Sequence, residues 1–124
     1  MGLDVYLMKT DKSSKLTMSE SEEVGYWRKF NALHAWFVDN VQGGVDECQS
    51  TIVTKKQLIK ASSLLKKSIT AKNPPLRPRR GFFFGSTDID EWFRENCENA
   101  HTTIEKIIGE TNFETHNIYY SASW

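Results

Sequence analysis

The side chains best suited to chemistry in this chain are aromatic and basic residues that occur in two separate stretches. The first stretch contains Trp27, Arg28, Lys29 and His34. The second covers residues 77–84, where three arginines lead into three consecutive phenylalanines. Aromatic faces stack on nucleobases, and arginine side chains bind phosphate oxygens in pairs, so a cleft lined by both stretches would bind a nucleotide-like molecule. The alternative for each single residue is a buried ring or a cation that covers a helix flank.

A glycine-flanked segment adds a candidate site for an anion. Residues 81–85 begin and end with glycine, and Ser86 or Thr87 is placed to start a helix, where backbone N–H groups attract phosphate. The glycine spacing is not that of a phosphate-binding loop or a dinucleotide motif, and Asp88 and Asp90 would repel an anion, so a capped structural turn is the alternative. The predicted ligand-binding residues are Trp27, Arg28, Lys29, His34, Arg80, Phe82, Phe84, Ser86 and Thr87.

Catalytic and metal-binding motifs are absent from the sequence. The three histidines and two cysteines match no zinc-protease, serine-hydrolase or paired-cysteine pattern, so we predict no catalytic residue, no metal and no cofactor. His34 lies on the apolar face of its predicted helix, which favours a hydrogen-bonded core histidine over a base. Cys48 and Cys97 are too few and too far apart for a disulfide framework and are expected to be free thiols.

Size and charge limit the classes of function. A chain of 124 residues is expected to form one domain, residues 1–124, around a single core. Sixteen basic residues balance sixteen acidic ones, so no overall field attracts nucleic acid or anionic lipid, and bulk nucleic-acid binding is not expected. No apolar run approaches the length of a membrane span, and we predict a cytoplasmic protein.

The first half of the chain predicts a strand followed by two helices. Leu3, Val5 and Leu7 alternate as in a half-buried strand, and residues 9–23 are expected to form a mobile polar loop. Apolar residues at helical spacing predict a helix over 25–41 that ends at Gly43 and Gly44. A short strand at residues 51–53 and a helix from a capping box at residue 54 to about residue 71 follow.

The second half predicts a connector, two strands and one more helix. Prolines and arginines make residues 72–80 a stiff connector, and residues 81–85 read as a short buried strand. A helix capped by Ser86 or Thr87 carries apolar residues from Ile89 and Trp92 to Ile108, and residues 118–124 form the last strand. The predicted fold is α+β, in which a small antiparallel sheet of N-terminal, C-terminal and short central strands packs against about three helices.

Several sequence phrases, taken in order, match a known pattern. They are GLDVYL at residues 2–7, GYWRK at 25–29, LHAWFV at 33–38, GFFFGST at 81–87, DEW at 90–92 and YSASW at 120–124. In these phrases the chain resembles a widespread family of small bacteriophage and prophage proteins, and the likeness spans nearly its whole length. The resemblance implies a setting in a bacterial host cell and supplies no catalytic residues.

Three functions are open at this point. The first is a non-catalytic counter-defence protein that sequesters a nucleotide-like signalling molecule of the host, with pockets between subunits of a symmetric homo-oligomer. The second is a protein–protein inhibitor that covers the working surface of a host defence enzyme with Trp, Tyr and Arg anchors. The third is a small enzyme acting on a nucleotide or sugar phosphate, with His34 and a nearby carboxylate as acid and base.

Overall fold

A four-stranded antiparallel sheet and three helices make up the fold. The computed structural model describes residues 2–12, 21–78 and 88–124. Its elements are β1 (Asp4–Asp11), β2 (Glu22–Arg28), α1 (Asn31–Asn40), β3 (Thr51–Val53), α2 (Lys55–Thr70), α3 (Glu91–Glu110) and β4 (His116–Ser123). The strands lie in the order β2-β1-β4-β3, so the first and last strands of the chain are paired at the centre of the sheet. The predicted α+β fold is confirmed.

One face of the sheet forms half of the hydrophobic core. Leu3, Val5 and Leu7 alternate along β1 and its entry and are fully buried, as are Ile118 and Tyr120 on β4. The helices contribute buried side chains to the same cluster, among them Phe37 of α1, Leu58 and Leu65 of α2, and Phe93, Cys97 and Ile104 of α3. The helices therefore cover one face of the sheet, as expected for an amphipathic antiparallel sheet.

The predicted first helix is wrong in its first third. Residues 22–28 are strand β2, which pairs with β1 through Tyr26 opposite Tyr6 and Trp27 opposite Val5. Side chains of β2 alternate between buried Trp27 and exposed Tyr26, a period of two that the helical spacing of the aromatic residues concealed. Lys29 then adopts a positive φ of 58°, and α1 begins only at Asn31.

Both ends of the predicted loop 9–23 also belong to strands. Lys9 lies on β1 and pairs with Glu22 at the start of β2. Polar residues occur here because this end of the sheet is near solvent, and polarity alone does not end a strand whose backbone hydrogen bonds are satisfied. Residues 13–20 lie outside the described part of the chain.

Side-chain hydrogen bonds satisfy backbone groups at both ends of helix α2. The backbone N–H of Gln57 donates to Thr54 Oγ1 at 3.1 Å, and the backbone N–H of Thr54 donates to Gln57 Oε1 at 2.9 Å, which is the predicted capping box. At the other end Arg94 of α3 donates to the carbonyl oxygens of Ser68 and Ala71 at 2.9 and 2.6 Å. These bonds satisfy carbonyls that the end of a helix leaves without partners, and they join α2 to α3.

Helix α3 starts later than the sequence predicts. Its N-cap is Asp90, whose Oδ1 accepts from the backbone N–H of Phe93 at 3.0 Å, and residues 88–90 are not helical. Ile89 and Trp92, predicted on the buried stripe, are 38% and 43% exposed because the packed part of the helix begins at Phe93. The predicted strand 81–85 lies outside the described residues. In the parts of the chain that the structure describes, no helix is long and apolar enough to cross a bilayer.

Gly25 is expected to be required by the packing of Trp27. A Cβ atom at residue 25 would lie 2.7 and 3.1 Å from two indole carbons of Trp27 and 3.4 Å from Leu7 Cβ. We expect Gly25→Ala to lower the free energy of unfolding by about 1–3 kcal/mol, because a packed indole must shift. Urea unfolding measures this. Gly109→Ala is the matched control: nothing lies within 4 Å of its added Cβ, and it should leave stability unchanged or raise it by up to about 1 kcal/mol. Equal losses for both variants would contradict the packing explanation.

Candidate functional site

The predicted residues of the first stretch do not share one cleft. Trp27 lies on β2 rather than on a helix, is 4% exposed, and its Nε1–H donates to Asn99 Oδ1 of α3 at 2.8 Å. Arg28 and Lys29 are exposed at the end of the same strand, and the Lys29 backbone N–H donates to the Leu3 carbonyl. His34 is 2% exposed and faces β4. Trp27 is therefore part of the packing between sheet and α3, and the two cations point to solvent.

His34 forms the centre of a chain of hydrogen bonds through the core. Its Nδ1 lies 2.5 Å from the Tyr120 hydroxyl, and its Nε2 lies 2.9 Å from Asp46 Oδ1. The same Asp46 oxygen accepts from Trp124 Nε1–H at 3.0 Å. Burial raises the pKa of Tyr120 well above its usual value, with the charge of Asp46 adding to the rise, so the hydroxyl keeps its proton and donates to Nδ1. The bonds then run in one consistent direction, from Tyr120 through the Nε2–H tautomer of His34 to the carboxylate.

This chain of hydrogen bonds is a structural unit. It joins α1, the segment after α1, β4 and the last residue of the sequence, and its two central side chains are enclosed. Asp46 is the carboxylate near His34 that an acid–base pair would require, but the imidazole has both nitrogens bonded inside the protein. A substrate would need to displace one of these partners to reach His34.

The second predicted stretch falls largely outside the described residues. Arg80, Phe82, Phe84, Ser86 and Thr87 all lie there, so the predicted meeting of the two stretches stays a prediction. Arg77 is the described member of the arginine group, and it is exposed.

A different tryptophan lies between two hollows. Trp36 and Asn40 are one turn apart on α1 and line both hollows, so they form a ridge between them. The Arg77 hollow has a volume of about 200 Å³ and is lined by Ala32, Ala35, Trp36, Asp39, Asn40, Pro75, Leu76 and Arg77. The lysine hollow has a volume of about 210 Å³ and is lined by Trp36, Asn40, Lys56, Gln57 and Lys60. Each is smaller than the roughly 300–1,000 Å³ of a typical ligand pocket.

The indole of Trp36 is held in place from behind. It packs edge to face on Phe37 with ring centroids 5.2 Å apart, and Phe37 in turn stacks on Tyr120 at 4.1 Å. Asn40 donates to the Trp36 carbonyl at 2.9 Å, and Gln57 donates to the Asn40 carbonyl at 3.3 Å, which ties α1 to α2 beside the lysine hollow. A ring positioned in this way can stack on a ligand with little further loss of side-chain entropy.

Charge distinguishes this pair of hollows from a third one. Lys56, Lys60 and Arg77 give the pair three cations against the single carboxylate of Asp39. The third hollow, of about 220 Å³, is lined by Lys9, Glu22, Glu23, Val24, Lys106, Ile107, Glu110 and Thr111. It contains three carboxylates, two lysines and no aromatic ring, so it suits an anionic aromatic ligand less well.

Two other clusters of reactive groups have structural roles. Ser62 of α2 donates to Glu105 at 2.8 Å, and His101 Nδ1 lies 2.9 Å from the Ser62 hydroxyl and 3.1 Å from its carbonyl oxygen. Because Ser62 is 1% exposed, this set is a clamp between α2 and α3. Burial raises the pKa of Cys97 to about 12, which keeps that thiol protonated and unreactive. The described residues contain no group of three or more side chains placed to hold a metal ion.

The sequence signal for the Trp36 ridge was weak. Trp36 occurred only within the phrase LHAWFV, and Lys56 and Lys60 were part of no predicted site, so nothing in the sequence linked them. Their proximity depends on the packing of α1 against α2 and on the path of residues 75–77, which are features of the tertiary structure.

No family model, curated protein or solved structure matches this chain.

Proposed function

We propose that this protein is a non-catalytic binding protein for a nucleotide-like anion, which it holds against Trp36. The observation that carries the proposal is the ridge itself. A partly buried, rigidly backed indole stands between two hollows, with lysines on one side and an arginine on the other.

The chemistry of the ridge matches the parts of such a ligand. A nucleobase would stack on the indole, an interaction worth roughly 1–3 kcal/mol per base. Phosphate oxygens would lie near Lys56 and Lys60 in the lysine hollow, and a second anionic group would reach Arg77. Asp39 lines the Arg77 hollow and favours ligand hydroxyl or amino groups there over phosphate. A molecule that combines base, sugar and phosphate has all of these groups.

Sequestration is the use that fits a binder without turnover. In the described histidine–carboxylate pair of His34 with Asp46, the imidazole is enclosed and both of its nitrogens are bonded within the protein. Holding a molecule requires affinity and abundance, and these need no general acid or base. The resemblance to phage proteins supports a counter-defence role in the cytoplasm of a bacterial host, with a host signalling nucleotide as the molecule removed.

The proposal is tested by adding defined nucleotides to the purified chain and measuring retention by native mass spectrometry. The probes are AMP, ADP-ribose and a cyclic dinucleotide, and we expect at least one of them to be retained in stoichiometric amount. A Lys56→Gln/Lys60→Gln variant should bind the retained probe about 5- to 30-fold more weakly, since two phosphate partners lose their charge.

The matched control for this test lies on the same helix. Lys66 and Lys67 are exposed near the end of α2 and line neither hollow, so Lys66→Gln/Lys67→Gln removes the same charge elsewhere. Retention of none of the three probes, or equal losses in the two double variants, would contradict the proposed site.

A further inference from the structure

The charges of this chain balance in total but are separated along the sequence. Residues 48–87 contain nine lysines and arginines and no aspartate or glutamate, so all sixteen acidic residues lie in the rest of the chain. A balanced total excludes an overall attraction for nucleic acid, but it allows a local excess of cations. Helix α2 carries five of these nine cations on its surface.

Five lysines of α2 form one exposed surface, which we call the α2 lysine face. Its members are Lys55, Lys56, Lys60, Lys66 and Lys67, and each of them is exposed. At 3.6 residues per turn, their side chains lie within an arc of about 140° around the helix axis and extend over about 18 Å along it. None of the five forms an ion pair with a carboxylate in the described part of the chain. The face is therefore a row of cations whose charge these residues do not neutralise.

The placement of these lysines does not stabilise α2. Lys55 and Lys56 occupy the first turn, which contains no acidic residue, so two cations lie at the positive end of the helix dipole. Lys56 and Lys60 are four residues apart, a spacing at which like charges repel each other. Helix α3 has the usual arrangement, with Asp90 as its N-cap and Glu91 in its first turn. A face of unpaired cations that disfavours its own helix indicates a partner that supplies the negative charge.

The surroundings of the α2 lysine face favour single-stranded nucleic acid as this partner. Lys56 and Lys60 also line the lysine hollow, and so does the partly buried indole of Trp36. Single strands are bound without sequence preference by cations that follow the phosphate backbone and by aromatic rings that stack on the bases. We propose that the α2 lysine face binds a segment of single-stranded DNA or RNA, with its phosphates along α2 and one base on Trp36.

Other polyanions fit the α2 lysine face less well. A helix that binds a lipid surface inserts an apolar face, whereas Leu58 and Leu65 of α2 are fully buried in the core and Ile59 is its one exposed large hydrophobic side chain. An acidic peptide supplies negative charge but no base to stack on Trp36.

Strand binding goes beyond the binding of a single nucleotide at the ridge. Lys66 and Lys67 line neither hollow, so a nucleotide held against Trp36 needs neither of them, whereas a strand along α2 contacts both. The two activities therefore depend on different sets of lysines and can be lost separately.

Fluorescence anisotropy of a labelled oligonucleotide of about ten residues, measured at several salt concentrations, tests the proposal. We expect a dissociation constant on the order of 1–100 µM at physiological salt. The logarithm of the association constant should fall with the logarithm of the salt concentration with a slope of about −3, since four or five lysines each release about 0.7 of a counterion. Lys66→Gln/Lys67→Gln should weaken binding about 5- to 30-fold and make the slope shallower by about 1.

Two controls make this result specific. Arg28→Gln/Lys29→Gln removes the same charge from exposed residues at the end of β2, outside the basic segment 48–87, and should leave strand binding within about twofold. Poly-L-glutamate is a polyanion without bases, and it should bind about tenfold or more weakly than the oligonucleotide. Melting curves of each variant confirm that the fold is kept.

Lys55→Glu separates strand binding from stability. It places an acidic residue in the first turn of α2, so we expect the melting temperature to rise by about 1–4 °C. The same change should weaken strand binding about 3- to 10-fold. Lys55 also lies over the Phe113 ring at 5.9 Å from its centroid, a contact that is lost with the charge. A cation that served only the fold would instead lower the melting temperature when replaced.

Several outcomes would overturn the proposal. They are no strand binding at about 500 µM, equal losses in Lys66→Gln/Lys67→Gln and Arg28→Gln/Lys29→Gln, or equal binding of poly-L-glutamate, of a duplex of the same length or of phosphatidylserine vesicles. If the strand fails to bind while a nucleotide probe is retained, strand binding alone is refuted and the nucleotide site stands.

Discussion

Replacing His34 with alanine is expected to lower the free energy of unfolding by roughly 3–5 kcal/mol. The side chain is 2% exposed, so its loss leaves a cavity beneath α1. The same substitution removes the partner of the buried Tyr120 hydroxyl and one partner of Asp46. A cavity and an unpaired buried hydroxyl together make this one of the most destabilising single changes in the chain. Chemical unfolding monitored by circular dichroism measures it.

Two further substitutions measure the contributions of individual hydrogen bonds in the His34 network. Tyr120→Phe keeps the ring and removes only the hydroxyl that donates to His34 Nδ1, and we expect a loss of about 1–3 kcal/mol. Trp124→Phe removes the exposed bond to Asp46 and should cost less than about 1 kcal/mol. If the free energy of unfolding of His34→Ala lies within about 1 kcal/mol of that of the unsubstituted protein, the hydrogen bonds of His34 do not contribute to stability as described.

The buried hydroxyl of Tyr120 determines how the stability of the protein changes at alkaline pH. Because the pKa of Tyr120 is raised by burial, the folded protein keeps a proton that the unfolded chain releases at about pH 10. The contribution of Tyr120 to stability is therefore complete below about pH 10 and is lost as the pH rises further. Tyr120→Phe should make unfolding less sensitive to pH in that range.

Replacing Trp36 with alanine is expected to weaken binding of the retained nucleotide probe roughly 10- to 100-fold. The indole lines both hollows, so its removal takes away the stacking surface worth about 1–3 kcal/mol and the wall between the two groups of cations. Isothermal titration calorimetry measures the change in affinity. Melting curves must accompany it, because Trp36 also packs on Phe37.

Two variants make the Trp36 result specific. Trp36→Phe keeps an aromatic face and should lose less than about tenfold in affinity. Trp92→Ala removes another tryptophan, 43% exposed at the start of α3, that lines neither hollow, and it should leave affinity unchanged. An equal loss in Trp92→Ala, or no loss in Trp36→Ala, would show that the probe binds elsewhere.

The fold class was predictable because the local signals were strong. The alternation of Leu3, Val5 and Leu7 and the capping box of Thr54 with Gln57 depend on neighbours within a few residues, and both are present in the structure. The helix predicted over 25–41 was wrong in its first residues, because Tyr26 and Trp27 fit the helical spacing of the apolar residues but lie on opposite faces of strand β2. Pairing of β2 with β1, a long-range contact, decided between helix and strand.

The proposed binding site was less predictable than the fold, because local sequence patterns do not show which distant residues lie close together. Trp27 was chosen for its basic neighbours, yet a strand rather than a helix turned its ring into the core. Arg77 belonged to the predicted basic group and lies on a hollow, but beside Trp36. The proposed site therefore keeps the expected pairing of an aromatic ring with cations but uses Trp36 as the ring.

Nuclear magnetic resonance of the tryptophan indole N–H groups tests the central claim most directly. The chain has four tryptophans, and the N–H groups of Trp27 and Trp124 are bonded to Asn99 and Asp46. On addition of the retained nucleotide probe, the signal assigned to Trp36 by its loss in Trp36→Phe should move and saturate, while that of Trp27 stays in place. Saturating movement of the Trp92 or Trp124 signal with Trp36 unchanged would contradict a binding site on this ridge.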